Sequence, residues 1–102
     1  MDKLKESAIK TLSYIMIECV MFPDVLGMYV PGDIADFLAD VEDCDEYEKG
    51  KFLDIFEGEL LSASKYSNTQ SVDVWENFFS NLCINDLNVC KDILNIVNKY
   101  NN

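Results

Sequence analysis

The chain of 102 residues contains no histidine and no arginine, and its 8 lysines face 19 acidic residues, so the formal net charge is −11. Without histidine there is no imidazole to act as a base, to activate a serine or cysteine nucleophile, or to bind a metal. Without arginine there is no bidentate clamp for phosphate, and a chain of this charge is repelled by nucleic acid. We therefore expect no direct nucleic-acid binding and no chemistry that depends on these two side chains.

Long apolar runs are also absent. The longest uncharged stretches, such as residues 25–32 and 77–85, fall well short of the 18 or more apolar residues of a membrane span. Charged residues at Glu6, Lys10 and Glu18 interrupt the apolar segment near the start, so this segment does not fit a signal peptide. The sequence predicts a cytoplasmic protein that makes no contact with a membrane.

Cysteine pairs with the spacing of a metal or redox motif are missing too. The four cysteines are Cys19, Cys44, Cys83 and Cys90, and no two of them are close enough to form a CxxC motif. A structural zinc site needs paired ligands, so neither zinc nor any other cofactor is expected. We expect reduced thiols, three of which lie in the apolar stripes of helices as small hydrophobic side chains.

Apolar residues recur at the spacing of amphipathic helices along most of the chain. Helices are predicted over residues 3–21, 33–41, 46–66, 73–82 and 87–100, with Asp2, Asp33 and Asp73 at the starts of the first, second and fourth. Between the first two we expect an ordered loop, with a short strand or a single helical turn over residues 25–30 as alternatives. Short connections and the lack of a convincing hairpin predict a single all-α domain over residues 1–102, a compact bundle of about five helices.

Two features of these helices allow more than one interpretation. Trp75, Phe78 and Phe79 have helical spacing and are expected to be core aromatics rather than a platform for stacking nucleic-acid bases. Gly50 and Gly58 each weaken the third helix by about 1 kcal/mol relative to alanine. Either a neighbouring helix packs closely against these glycines, or the first turn of the helix is loosely held.

The negative charge is concentrated in one part of the chain. Residues 33–59 carry a net charge of −9, whereas the other 75 residues carry −2. At the centre, residues 40–48 hold six acids and no lysine. A solvated face that keeps a small protein in solution is one interpretation of this cluster, because acidic residues serve solubility well. The exclusion of lysine from the centre and the presence of Cys44 and Tyr47 within it favour a docking surface instead.

An acidic patch around an aromatic side chain suits a basic protein partner, since charge accelerates the encounter and the aromatic ring provides desolvated contact. With Tyr47 as the central anchor, the predicted partner-binding residues are Asp36, Asp40, Glu42, Asp43, Asp45, Glu46, Tyr47 and Glu48.

Two chemical uses of the carboxylates fit the sequence poorly. A calcium loop that began at Asp43 would have Tyr47 at its fifth position and Glu48 where glycine is required. Two carboxylates suffice for glycoside cleavage, but a helical bundle of this length seldom offers a substrate cleft. We expect neither a metal site nor an enzyme.

In size, acidity and expected location the chain resembles the small immunity proteins of bacterial nuclease toxins, both colicin-like and contact-dependent growth inhibition systems. The resemblance is one of class, because no immunity-protein motif is present. It implies a protein that binds a basic nuclease toxin in a stoichiometric complex and neutralises it by electrostatic docking, without turnover.

Two alternatives remain open. The first is a phage- or plasmid-encoded mimic of nucleic acid that blocks a host defence nuclease, as anti-restriction and anti-CRISPR proteins do. A duplex mimic favours charge strung along an extended surface, however, and here the charge is concentrated. The second is a non-catalytic helical regulatory protein, such as a homodimer formed through the glycine-lined face of the third helix. The sequence leaves the oligomeric state open.

Overall fold

The computed structural model describes residues 5–22, 31–63 and 71–100. Within these ranges the chain forms five α-helices and no β-strand, so the predicted all-α bundle of about five helices is confirmed. No described helix is long and apolar enough to cross a membrane. The predicted cap Asp2 and the alternatives for residues 25–30 lie outside the described residues. The helices are α1 (Glu6–Met21), α2 (Pro31–Glu42), α3 (Glu46–Ser62), α4 (Val72–Asn81) and α5 (Asn88–Lys99).

Two helices begin earlier than predicted. Helix α2 starts at Pro31, so the predicted cap Asp33 lies inside the first turn. The fixed φ of proline suits the first position of a helix, where no backbone N–H is needed. Helix α4 is capped by Ser71, whose hydroxyl oxygen accepts a hydrogen bond from the Val74 N–H at 3.4 Å. Because serine at this position already satisfies one of the first four N–H groups, Asp73 becomes an acidic residue of the first turn.

Two further corrections concern α1 and α3, and α5 is one residue shorter at each end than predicted. Helix α1 starts at Glu6 and not at residue 3, because Lys5 has an extended backbone. Helix α3 ends at Ser62 rather than near residue 66. Among the described residues, the close packing considered for the glycines of α3 is not found. A Cβ atom at Gly50 or Gly58 would have no atom within 4 Å.

A row of aromatic rings connects α2, α3 and α4 through the core. Phe37 meets Phe52 edge-on with ring centroids 5.8 Å apart, and Phe56 meets Trp75 in the same way at 5.4 Å. Trp75 also lies 5.8 Å from Phe79, and both rings are fully buried. Edge-to-face and offset pairs at these distances add about 0.5–1.5 kcal/mol each beyond the burial of their area. The aromatic residues of α4 are therefore core residues, as predicted.

Helix α1 covers this aromatic row from one side and packs most extensively on α3. Its buried face includes Ile9, Met16, Ile17 and Val20, which follow the helical repeat. Ser13 lies in the same stripe and is fully buried. Glu46 and Tyr47, in the first turn of α3, remain exposed to solvent.

The turn between α4 and α5 has the hydrogen bonds of a Schellman motif. The Ile84 N–H donates to the Phe79 carbonyl at 3.1 Å, and the Cys83 N–H donates to the Ser80 carbonyl at 3.0 Å. Cys83 therefore occupies the position where glycine is usual, with a φ of 60°. Ile84 and Phe79, the two positions whose side chains normally meet in this motif, are both buried.

Three of the four cysteines are buried, and Cys83 is exposed. Burial raises the pKa of the Cys19 thiol to about 11 and that of the Cys90 thiol to about 12. The Cys44 thiol donates a hydrogen bond to the Asp40 carbonyl at 3.2 Å. These thiols pack as small side chains of the core.

Candidate protein-docking surface

Helix α2 separates its apolar and acidic residues onto opposite sides. Ile34, Leu38 and Val41 are buried against the core, whereas Asp36 and Asp40 are exposed on the outer side. Residues four apart in a helix are neighbours on its surface, so these two carboxylates lie close together. The outer side of α2 is thus a negatively charged strip that leads to the turn before α3.

The turn and the first residues of α3 continue this strip. Asp43, Asp45, Glu46 and Tyr47 are all exposed, and 71% of Tyr47 is accessible to solvent. We call the six exposed residues of this region the acidic surface: Asp36, Asp40, Asp43, Asp45, Glu46 and Tyr47. No lysine of the described residues forms an ion pair with its carboxylates.

Asp45 is exposed, and it also has a structural role. It is the N-cap of α3, and its Oδ1 accepts a hydrogen bond from the Glu48 N–H at 2.9 Å. Negative charge near a helix N-terminus is favourable by about 0.3–1 kcal/mol, which offsets part of the repulsion among these acids. Substitution of Asp45 must preserve the cap if only the charge is to be tested.

Glu42 turns away from the acidic surface. Its Oε1 accepts a hydrogen bond from the Val89 N–H at 2.8 Å, across 47 positions of sequence. Val89 lies in the first turn of α5, whose own N-cap residue, Leu87, makes no side-chain hydrogen bond. The last residue of α2 therefore caps α5, and this predicted partner-binding side chain is held within the fold.

Glu48 is also turned inward and is only 7% exposed. Its Oε2 lies 3.3 Å from the Lys51 Nζ, one turn further along α3. A buried carboxylate is costly unless a positive charge accompanies it, and Lys51 provides that charge. The structure thus brings six of the eight predicted residues together at the surface and places Glu42 and Glu48 in intramolecular contacts.

A groove that the sequence analysis did not identify adjoins the acidic surface. It lies where α3 passes the start of α1, has a volume of about 460 Å³ and is open to solvent. Glu46, Gly50 and Asp54 follow one another at intervals of four residues, and this spacing is its only signal in the sequence. We call it the Gly50 groove; its lining is Glu6, Glu46, Tyr47, Gly50, Lys51, Asp54 and Ile55.

Further along α3, Glu57 is engaged by the end of the chain. It accepts a hydrogen bond from the Tyr100 hydroxyl, and the Lys99 Nζ lies 2.8 Å from its Oε2. The hydrogen bonds from Lys99 and then Tyr100 lower the pKa of Glu57, while the same contacts raise the pKa of Lys99 and of Tyr100. This cluster joins α3 to the end of α5 and belongs to the fold.

Within the described ranges, no three cysteine or acidic side chains come together in a way that could hold a metal ion. The sequence matches no protein-family model, and comparisons with curated proteins and with solved structures find no significant similarity. The acidic surface and the Gly50 groove are therefore the features of this chain from which a function can be inferred.

Proposed function

We propose that this chain is an immunity protein, a stoichiometric inhibitor that acts in the cytoplasm and neutralises a basic nuclease-type bacterial toxin of the colicin-like or contact-dependent growth inhibition kind. The observation that supports this proposal is the exposed strip of carboxylates from α2 into α3, which has no ion-pair partner among the described lysines and lies beside the exposed ring of Tyr47. The toxin contributes the lysine and arginine side chains with which it holds phosphate. Inhibition requires only that this protein stays bound to the toxin.

The unbound protein is destabilised by its own acidic surface. Like charges at neighbouring helical positions repel and destabilise the helix that carries them. Binding of a cationic partner removes this repulsion. It also pairs the carboxylates with positive charges of the partner. Such surfaces also steer the encounter, raising association rates by about 10–1,000-fold at low ionic strength.

The direct test uses the reading frame that lies immediately upstream of this gene. We expect it to encode a chain with a basic nuclease domain at its C-terminus. Nuclease activity of that purified domain should fall to zero when this protein is present in equimolar amount. A nuclease that stays active in excess inhibitor, or an upstream frame without any nuclease domain, would contradict the proposal. Inhibition confined to a host defence nuclease would favour the nucleic-acid mimic instead.

A pair of matched triple variants tests whether the acidic surface makes the contact. The first variant carries Asp43→Asn, Asp45→Asn and Glu46→Gln, and asparagine at position 45 keeps the cap of α3. We expect an unchanged helical spectrum and association with the toxin slowed by about tenfold at low salt. The control variant neutralises the same types of exposed residue outside α2 and α3. Its substitutions are Asp73→Asn, Glu76→Gln and Asp86→Asn.

Both triple variants change the net charge by the same amount, so a general charge effect would slow both equally. Equal association rates for the two variants would place the interface elsewhere on the molecule. Stopped-flow fluorescence is suited to the measurement, because electrostatic steering acts on the association rate more than on dissociation.

A further inference from the structure

Gly50 is a glycine in the interior of a helix for which packing gives no reason. It lies in the second turn of α3, and a Cβ atom there would meet nothing within 4 Å. Glycine at such a position costs about 0.5–1 kcal/mol relative to alanine. Unlike Gly58, which is exposed, Gly50 lines the groove beside Tyr47. The missing side chain leaves this groove open.

The charges around the Gly50 groove do not balance. Among the described lining residues, the only ammonium group is that of Lys51, which lies 3.3 Å from the buried carboxylate of Glu48, a residue outside the lining. Glu46 and Asp54 lie one turn before and one turn after Gly50, and neither forms an ion pair with a described lysine. These two carboxylates thus flank an open space that no described residue fills.

The exposed ring of Tyr47 forms a wall of the same groove. Tyr47 precedes Gly50 by three residues, which places both on one side of the helix. A planar cation between an aromatic ring and a carboxylate gains from both, since guanidinium stacks on aromatic faces and binds carboxylate through two parallel hydrogen bonds. An ammonium group has the positive charge, but it lacks the planar face that stacks on a ring and the two parallel N–H donors that bind a carboxylate.

We propose that the Gly50 groove is the pocket for one arginine side chain of the partner, stacked on Tyr47 and paired with Glu46 and Asp54. The identity of the chain that carries this arginine rests on the proposed function, whereas the chemistry of the pocket does not. Within the interface, Tyr47 and Gly50 act together: the ring provides the wall and the glycine provides the space.

The pocket is tested with a small probe, so that no toxin is needed. N-acetyl-L-arginine methylamide is titrated into the protein and followed by amide chemical shifts. The neutral isostere, N-acetyl-L-citrulline methylamide, serves as the control ligand. We expect saturable shifts centred on Gly50 and Tyr47 with the arginine probe, and at least fivefold weaker binding of citrulline. Shifts that rise linearly, or that are equal for both probes, would overturn the inference.

Two glutamine variants separate filling of the groove from a change in the helix. Glutamine is a good helix former and adds no charge, and Gly50→Gln extends a side chain into the groove. Gly58→Gln makes the same change two turns later at an exposed site. We expect Gly50→Gln to weaken arginine binding at least fivefold and Gly58→Gln to leave it unchanged. Equal binding by both variants would refute the pocket.

The double variant Glu46→Gln with Asp54→Asn tests the same pocket without adding volume. Its control, Asp73→Asn with Glu76→Gln, neutralises two exposed acids on α4. Selective loss of arginine binding in the first double variant supports the pocket, and equal loss in both argues against it.

The two proposals fail in different ways. If the arginine probe does not bind the groove but the protein still inhibits the nuclease, the pocket is wrong and the inhibitor proposal stands. If arginine binds the pocket but no nuclease is inhibited, the proposed function is wrong and the pocket stands.

Discussion

The substitution Glu42→Ala removes the carboxylate with which α2 caps α5. The Glu42 Oε1 lies 2.8 Å from the Val89 N, and Val89 is only 1% exposed, so water cannot readily replace the lost acceptor. Leaving a buried N–H without a partner costs about 1–3 kcal/mol, and loss of a helix N-cap costs about 0.5–2 kcal/mol. Because both figures describe the same hydrogen bond, we expect a loss of about 2 kcal/mol in the free energy of unfolding. For a chain of this size that corresponds to a decrease in Tm of about 8–16 °C.

The assay is urea unfolding followed by circular dichroism, with amide hydrogen exchange at the start of α5. Two comparison variants test whether the loss of stability comes from the hydrogen bond to Val89. Glu42→Gln retains an acceptor oxygen and should lose only about 0.3–1 kcal/mol, the favourable effect of the negative charge at the helix N-terminus. Asp43→Ala removes an exposed carboxylate one residue later and should change stability by less than about 0.5 kcal/mol. If Glu42→Ala were as mild as Asp43→Ala, or if exchange at Val89 stayed slow, the capping argument would be refuted.

Three further predictions each concern a substitution at one position. Gly58→Ala should stabilise the protein by about 0.5–1 kcal/mol in urea unfolding, because the added methyl group meets nothing within 4 Å; a loss would mean that another part of the chain covers this site. Cys83→Gly should raise Tm, because it relieves a φ of 60° that costs a residue with a side chain about 1 kcal/mol, and an unchanged Tm would show that this backbone is not strained. Glu57→Gln should destabilise the protein at neutral pH, by a deficit that shrinks as the pH falls below 4.5. The contacts with Lys99 and Tyr100 lower the pKa of Glu57, so their stabilising effect is present above its ordinary value and is lost as the carboxyl group becomes protonated. A deficit that stayed constant with pH would refute this sign.

Most of the fold could be predicted from local patterns in the sequence. The helical repeat of apolar residues correctly predicted five helices. The aromatic spacing in α4 correctly predicted that Trp75 and Phe79 are core residues. Helix starts were less predictable where two capping residues stand close together, as Ser71 and Asp73 do. The left-handed residue after α4 carried no signal, because it is Cys83 and not glycine.

The candidate site was predictable in composition but not in orientation. Charge counting found the acidic segment, yet it could not distinguish Glu42 and Glu48 from their exposed neighbours. For Glu42 that distinction depends on where α5 begins, which is a tertiary fact, whereas Glu48 differs from its neighbours in its burial beside Lys51, three residues further along the same helix. The Gly50 groove was missed for the same reason, since one of its walls is Glu6 of α1.

The separation of the acids into inward and outward groups predicts opposite effects of salt on the unbound protein and on its complex. In the unbound protein the exposed carboxylates repel one another, and the Debye length falls from about 30 Å at 0.01 M to about 10 Å at 0.1 M salt. Added sodium chloride should therefore raise the Tm of the unbound protein while it slows association with a cationic partner. The variant Asp43→Asn/Asp45→Asn/Glu46→Gln should show a smaller rise in Tm than the control variant on α4 and the following turn. A Tm that falls with salt, or equal salt responses in both variants, would mean that the exposed carboxylates do not strain the unbound fold. The main physical reason to expect a cationic partner at this surface would then be lost.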